Sequence, residues 1–222
     1  MKITHIYHSG FLVELDHTLL LFDYYQGELP PLNPDKPLFV FVSHSHYDHY
    51  VADIWQLSQT HPCVRYVVFH DITTQRSDNI LAVDYHQHYE WNGLSIDTLR
   101  STDEGCAYAI TVEGKQIYHA GDLNWWHWHG ESDDFNIWQD KTFHQELESL
   151  NGRSFDVAFL PLDPRLQDTA WWGFAEFLRS CACKHVFPMH YSDNKNAVFA
   201  YLTVPQLAPF ASIIHTQDQW QE

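Results

Sequence analysis

Phe39-Val40-Phe41-Val42-Ser43-His44-Ser45-His46-Tyr47-Asp48-His49 runs an apolar stretch directly into four potential metal ligands packed within six positions. The apolar part lacks alternation and is rich in Val and Phe, which reads as a short strand buried on both faces. A buried strand that stops at imidazoles and a carboxylate delivers them to the edge of the core. There they can converge on an ion with little water around it. His44 and His46 are two positions apart and project to the same side near the strand end. Asp48 and His49 fall on the following turn and can face a second ion. Imidazole nitrogen mixed with carboxylate oxygen suits zinc, and also manganese or iron. The stretch is a candidate metal site.

Two later stretches repeat the order of a strand followed by a ligand. Gln116 to His119 reads as a strand, and Ala120-Gly121-Asp122 sets a carboxylate at its end. Gly121 permits close backbone approach to whatever the Asp binds. His119 falls on the opposite strand face from Asp122 and reads as core. Lys184-His185-Val186-Phe187-Pro188-Met189-His190 is a short strand closing on an imidazole. Taken together, His-x-His-x-Asp-His (His44, His46, Asp48, His49), the later Gly-Asp and the final His resemble the signature of the metallo-β-lactamase superfamily, over roughly residues 3 to 190.

The resemblance implies a mixed α/β (α+β) fold, a four-layer αββα metallo-β-lactamase-like sandwich forming a single domain over residues 1–222. It implies one or two divalent metal ions, zinc first, with manganese or iron also open. His44, His46 and a shared Asp122 would hold the first ion. Asp48, His49, Asp122 and His190 would hold the second. His8 matches a His seen early in the branch that includes lactonases and phospholipases, where it lies near the metal pocket. A surface His at a hairpin is the other reading of His8.

One ligand departs from the family pattern. The family carries another His between the first motif and the Gly-Asp, and here Arg100-Ser101-Thr102-Asp103-Glu104-Gly105 places Thr102 at that position. Ser101, Asp103 or His127 could compensate, and nothing in the sequence selects among them.

The 222 residues suffice for a sizeable core, with 45% apolar and 16% aromatic residues, well above a disordered composition. No apolar run approaches the ~20 residues needed to span a bilayer. The N-terminal residues lack a signal peptide's long apolar stretch, so the cytoplasm is the expected location. Cys63, Cys106, Cys181 and Cys183 are expected to be reduced and buried, the last two on one helix. Lys and Arg number 12 against 29 Asp and Glu, a net charge of −17. Nucleic-acid binding draws on a basic surface, and this chain has no basic run. A small-molecule substrate is expected, with no nucleic acid and no membrane; the oligomeric state is not set by the sequence.

Elsewhere, Ile3 to His8, Phe11 to Leu15 and Thr18 to Phe22 read as a meander, and residues 26 to 37, with four Pro, as a surface loop. Val51 to Thr60 has helical spacing, and Val64 to Phe69 is a strand. Tyr85 to Trp91, Leu94 to Leu99 and Ala107 to Val112 read as a second meander, with His86 and His88 on one solvated face of its first strand. Asn124-Trp125-Trp126-His127-Trp128-His129 follows Asp122 at once, and Trp126, His127 and Trp128 are candidates to wall a substrate pocket; a purely structural cluster is the alternative. Asp134 can cap a helix from Phe135 to Leu150. Asp156 to Leu160 is a buried strand ending near Asp163 and Arg165. Arg165 is a candidate anion anchor and Asp163 its partner behind the ligands, against an ion pair that only holds the turn. Ala170 to Ala182 is a helix, and a helix and a strand, Ser212 to His215, close the chain.

A metal ion lowers the pKa of bound water to about 7. The function implied is a metal-dependent hydrolase of the lactonase-like branch, whose hydroxide, held by Asp48 and Asp122, cleaves an ester, lactone or related bond. A phosphodiesterase or nuclease of the same superfamily is the alternative, opposed by the acidity. A metal-binding protein whose altered first site has lost catalysis is the other.

Overall fold

Strand β4 (Leu38–Val42) is buried along its whole length, with no residue above 1% exposed. Five fully buried apolar side chains contribute on the order of 10 kcal/mol of gross burial, as expected of a strand inside its sheet with a parallel partner on each side. The coordinates are a computed structural model and describe residues 1–72 and 77–222. One sheet holds β1 (Lys2–Tyr7), β2 (Gly10–Glu14), β3 (Leu19–Phe22), β4, β5 (Val64–Phe69), β6 (Ile80–Val83) and β13 (Gln219–Gln221), in the order β13-β1-β2-β3-β4-β5-β6. The other holds β7 (His88–Trp91), β8 (Leu94–Arg100), β9 (Cys106–Val112), β10 (Lys115–His119), β11 (Ser154–Pro161) and β12 (Ala182–Met189), in the order β12-β11-β10-β9-β8-β7.

The side-chain period of two splits each buried strand between two cores. Phe39 and Phe41 face the second sheet, and the Phe41 ring meets Tyr108 at 5.2 Å. Phe11 meets Phe159 across the same gap at 4.3 Å. Leu38, Val40 and Val42 face outward, where Ile54 of a 3-10 turn (Ala52–Gln56) and Leu57 of α1 (Leu57–Thr60) cover them. On the far side, helices α2 (Asp133–Glu148) and α3 (Trp172–Ser180) cover the second sheet, with Phe177 stacked on Tyr118 at 4.7 Å. The architecture is the expected four-layer sandwich.

Parallel pairing sets where the chemistry falls. β3 to β6 run parallel in one sheet and β10 to β12 in the other. Their carboxyl ends are followed by Asp23, His44, Asp71, Asp122, Asp163 and His190. Polar residues from both sheets therefore gather at one rim, the usual place for ligands in open parallel sheets.

Several elements depart from the expected bounds. The strand expected at Tyr85 begins at His88, because His86 adopts φ 56° in the preceding turn. His88 is exposed between Asp97 and Glu90, and His86 bonds Glu146, so the pair faces carboxylates and not an ion. The cap of α2 is Ser132, whose Oγ accepts from Phe135 N at 3.3 Å, and Asp134 lies inside the first turn; a carboxylate there interacts with the helix dipole instead. Cys181 ends α3 and Cys183 lies in β12, so they do not share a helix; all four cysteines are free, Cys106 and Cys181 buried and the others half-buried. The strand expected at Ser212 reduces to one bridge between Val186 and Ile214. Strand β13 carries no apolar pattern, since it is mostly exposed and is held by pairing with β1, whereas the apolar run Ile80 to Val83 forms the edge strand β6. Among the described residues no helix is long and apolar enough to cross a membrane.

Candidate metal centre

Two groups of donor atoms meet at the rim. His44, His46 and Asp122 form one, and His8, Asp48, His49 and His190 form the other; within each group the ligand atoms all lie within 4.8 Å of one another. Asp122 stands between them. Its Oδ2 is 3.5 Å from His44 Nε2, and its Oδ1 is 3.2 Å from Nε2 of both His49 and His190. The six residues read as ligands from the sequence are thus brought together, and His8 joins them.

The Nε2 atoms of His8, His44, His49 and His190 and Asp122 Oδ1 are buried without a hydrogen-bond partner among the described residues. An unpaired buried polar atom costs about 1–3 kcal/mol, so five of them converging on one space need a partner there. A divalent cation fits this set of imidazoles and carboxylate.

The other ring nitrogens are all occupied. His44 Nδ1 meets Ser43 Oγ at 2.9 Å, His49 Nδ1 meets Asp23 Oδ2 at 2.8 Å, His190 Nδ1 meets Asp163 Oδ2 at 2.9 Å and His8 Nδ1 meets Ser192 Oγ at 3.0 Å. A partner on Nδ1 fixes the tautomer and turns Nε2 towards the shared space. Asp71 Oδ2 accepts from Ser45 N at 2.9 Å and holds the ligand loop from its outer side. Four non-glycine residues here, His8 (φ 53°), Asp23 (φ 40°), His190 (φ 67°) and Ser192 (φ 47°), lie in the left-handed region. Such strain persists only where surrounding structure imposes it, and it clusters at functional sites.

Charge is balanced by opposing neighbours. Burial pulls His190 down, yet the Asp122 and Asp163 carboxylates lift it to about 9. His49 is likewise raised against burial by Asp122 and Asp23. Burial holds His44 down at about 4 in spite of Asp122, and burial with the charges of His190 and His49 pushes His8 to about 2. Asp122 is held well below the carboxylate range by His49 and His190, against burial. Asp163 lies at about 2 because hydrogen bonds from His190 and Arg165 outweigh its burial.

The substrate-side candidates divide. Trp126 is 3% exposed; its Nε1 donates to Asp122 O at 2.8 Å and its ring meets His190 at 5.3 Å. Trp128 stacks on Trp126 at 6.0 Å, with the Arg165 guanidinium 5.6 Å from its centroid. Arg165 Nε donates to Asp163 Oδ2 at 2.8 Å, so Asp163 bridges Arg165 and His190. His127 goes elsewhere. Its ring lies on Trp172 at 4.9 Å and lines a cleft with Trp125 and Asp140 between α2 and α3. Alternation along the extended loop sends positions 126 and 128 to the metal side and 125 and 127 to the helices.

Thr102 donates from Oγ1 to Asn124 O at 2.6 Å and accepts from Asn124 N at 3.1 Å, so its side chain fastens the loop after Asp122. Ser101 Oγ accepts from Asp103 N at 3.1 Å, and Asp103 is exposed and outside both groups. Ser101 and His127 are thus engaged elsewhere, whereas the Asp103 carboxylate, its pKa raised by desolvation and then by the charge of Asp122, stands within the field of Asp122 and His46 without joining either group. Asp23, Ser43, Asp71 and Ser192 were missed by sequence reasoning. Asp23 and Asp71 had a signal, as acids following the strands Leu19 to Phe22 and Val64 to Phe69 in the same way that the ligands follow theirs.

A family model described as a β-lactamase superfamily domain matches residues 2–127. A metal-dependent hydrolase of Opitutus terrae is 28% identical, over 87% of this chain and 86% of its own length. A metallo hydrolase structure from Ignicoccus hospitalis aligns with a TM-score of 0.63 at 17% identity, over 100% of this chain and 98% of that one. The diiron β-hydroxylase CmlA of Streptomyces venezuelae aligns with a TM-score of 0.62 at 11% identity, over 99% of this chain and 53% of that one. The matched segment spans more than half of the chain and carries the donor residues from His8 to Asp122, and the chain belongs to the β-lactamase superfamily.

Proposed function

We propose that this metal-dependent hydrolase, of the lactonase-like branch, cleaves an ester, lactone or related bond in a small molecule. The observation that carries this reading is the convergence around Asp122 Oδ1 of four buried imidazole Nε2 atoms, all five atoms without a hydrogen-bond partner among the described residues. His44, His46 and Asp122 would hold one divalent ion, and Asp48, His49, Asp122 and His190 a second. Zinc is the first choice, and iron is supported by the diiron neighbour of the same fold. A divalent ion held there lowers the pKa of a water to about 7 and polarises a carbonyl or phosphoryl oxygen.

The chain's own residues supply the rest. Asp48 and Asp122 line the shared space, where their carboxylates would hold and orient the attacking water. Trp126 closes the floor and limits water beneath the ligands. Arg165, exposed at its tip and fixed by Asp163, presents its free N–H groups to an anionic substituent of the substrate. The net charge of −17 opposes a polyanion such as nucleic acid. Four free thiols support the cytoplasm as the location.

The test is turnover by zinc-loaded protein of aryl esters, lactones and a phosphodiester. Ester or lactone cleavage that disappears in Asp122→Asn and on chelation supports the reading. Preferential phosphodiester cleavage would move the protein to the phosphodiesterase alternative.

A further inference from the structure

We propose that His8 is itself a metal ligand, positioned by Ser192, and that it makes the second group the tight site. This rests on the metal reading above. His8 opens the turn after the first strand in a left-handed conformation, φ 53°, and its carbonyl accepts from His190 N at 3.1 Å. The backbones of two imidazole donors are thereby fastened together, and their rings stand 4.1 Å apart. His8 Nε2 is buried, has no partner among the described residues and lies 3.7 Å from Asp48 Oδ2. Tetrahedral ligands bound about 2.1 Å from one ion stand about 3.4 Å apart, so a small contraction onto an ion brings this pair into range.

Neither bland reading of His8 survives the geometry. A surface imidazole at a hairpin would be exposed, and this one is 5% exposed. A satisfied core histidine would have both nitrogens bonded, and only Nδ1 is, through Ser192 Oγ at 3.0 Å. Ser192 itself sits at φ 47°, so both partners hold strained conformations to make one contact. Strain at two adjacent points is what a fixed ligand geometry imposes.

The consequence reaches the lost imidazole. Thr102 leaves the first group with His44, His46 and the shared Asp122. His8 gives the second group three imidazoles and Asp48, beside the same Asp122. The coordination removed on one side is added on the other. The second group then binds its ion more tightly, and the first keeps open positions, as catalytic sites do.

Calorimetric titration of the metal-free protein with zinc tests this, with cobalt absorption spectra as a second readout. In His8→Ala the tighter dissociation constant should rise at least about 100-fold, while the weaker one stays within about threefold. Ser192→Ala should raise the tighter constant about 10-fold, the scale of lost orienting partners, and Ser192→Thr should restore it. Melting of the metal-free proteins controls for folding, and Ser192→Ala carries the test alone if His8→Ala does not fold. Wild-type constants in the folded variant would overturn the proposal, as would equal loss at both sites. Wild-type protein that binds no zinc would instead overturn the metal reading beneath it.

Discussion

His49 donates from Nδ1 to Asp23 Oδ2 at 2.8 Å, with both side chains fully buried. Asp23 also accepts from Ser43 N and Ser43 Oγ, each at 2.7 Å, and Ser43 Oγ in turn meets His44 Nδ1. One carboxylate therefore orients an imidazole of each donor group. Burial opposes its charge, but His119, His49 and His44 keep it below the ordinary carboxylate value. Asp23→Asn keeps the volume and replaces one acceptor oxygen by an N–H₂ group. Zinc affinity should fall about 10–100-fold, measured by competition with a chromophoric chelator. Affinity within twofold of wild type would show that packing alone orients the rings.

What was legible in the sequence was whatever repeated. His44, Asp122 and His190 each follow a strand, so their order along the chain exposed the rim on which they meet. Asp23 follows a strand too, but a single acid without neighbouring ligands reads as an ordinary strand end. Asp71 follows the strand Val64 to Phe69 in the same order, whereas Ser192 acts through one hydrogen bond made where the chain turns after His190, and no spacing encodes that. Thr102 was visible as a gap, whereas its use in tying Asn124 needed the loop's path. The same alternation that predicts strand faces separates Trp126 from His127, once the loop is known to be extended.

Gly105 and Gly121 both press on Ser43, beneath the ligand loop. A Cβ on Gly105, at φ +76°, would stand 2.1 Å from Ser43 O. One on Gly121, at φ +52°, would stand 2.8 Å from Ser43 Cβ and Cys106 O. Gly114 has a similar φ of +71° with nothing within 4 Å. Gly114→Ala should lose about 1 kcal/mol from backbone strain alone, and Gly105→Ala on the order of 3 kcal/mol or more from the added clash. Urea denaturation checks the difference. Equal losses at the two positions would mean that Ser43 yields freely.

Far from the metals, Asp156 ties three strands, accepting from Gln116 N at 2.9 Å and Lys184 Nζ at 2.7 Å. Burial raises its pKa, but these bonds win and leave it below 3.8. A depressed carboxylate stabilises above its unfolded pKa and loses that contribution as pH falls through the folded value. Asp156→Asn should therefore be less stable than wild type at neutral pH, by less than about 1 kcal/mol because Lys184 is exposed. The gap should close below pH 3.8. A gap that persists there would assign the loss to packing.

Metal removal should be uneven even without reference to His8. Without His8, the first group is His44, His46 and the shared Asp122, and the second is Asp48, His49 and His190 beside that same Asp122, and fewer protein ligands compete less well with water and chelator. His190→Ala should lower bound metal more than His44→Ala, by elemental analysis after partial chelation. Two ions that leave together in wild type would contradict this.

Trp126 and Trp128 share a stack but should fail differently when truncated. Trp126 is buried, fixes the Asp122 carbonyl through Nε1 and packs its ring against His190. Removing it deletes a large buried side chain, which typically costs about 3–5 kcal/mol, and frees the backbone carrying the shared ligand. Trp126→Ala should thus lower both melting temperature and zinc affinity, so its loss of turnover is not evidence of substrate contact. Trp126→Phe keeps most of the packing and loses one hydrogen bond, about 1 kcal/mol, and should retain most of the metal. Trp128 is half-buried beneath Arg165 and touches no ligand backbone. Trp128→Ala should leave metal content intact and raise KM several-fold for an anionic substrate, because Arg165 loses the ring face that holds it. Trp125, packed on Phe143 and Trp172, is the control, and Trp125→Ala should lower only the melting temperature. Unchanged KM in Trp128→Ala, with full metal occupancy, would remove this face of the loop from the substrate pocket.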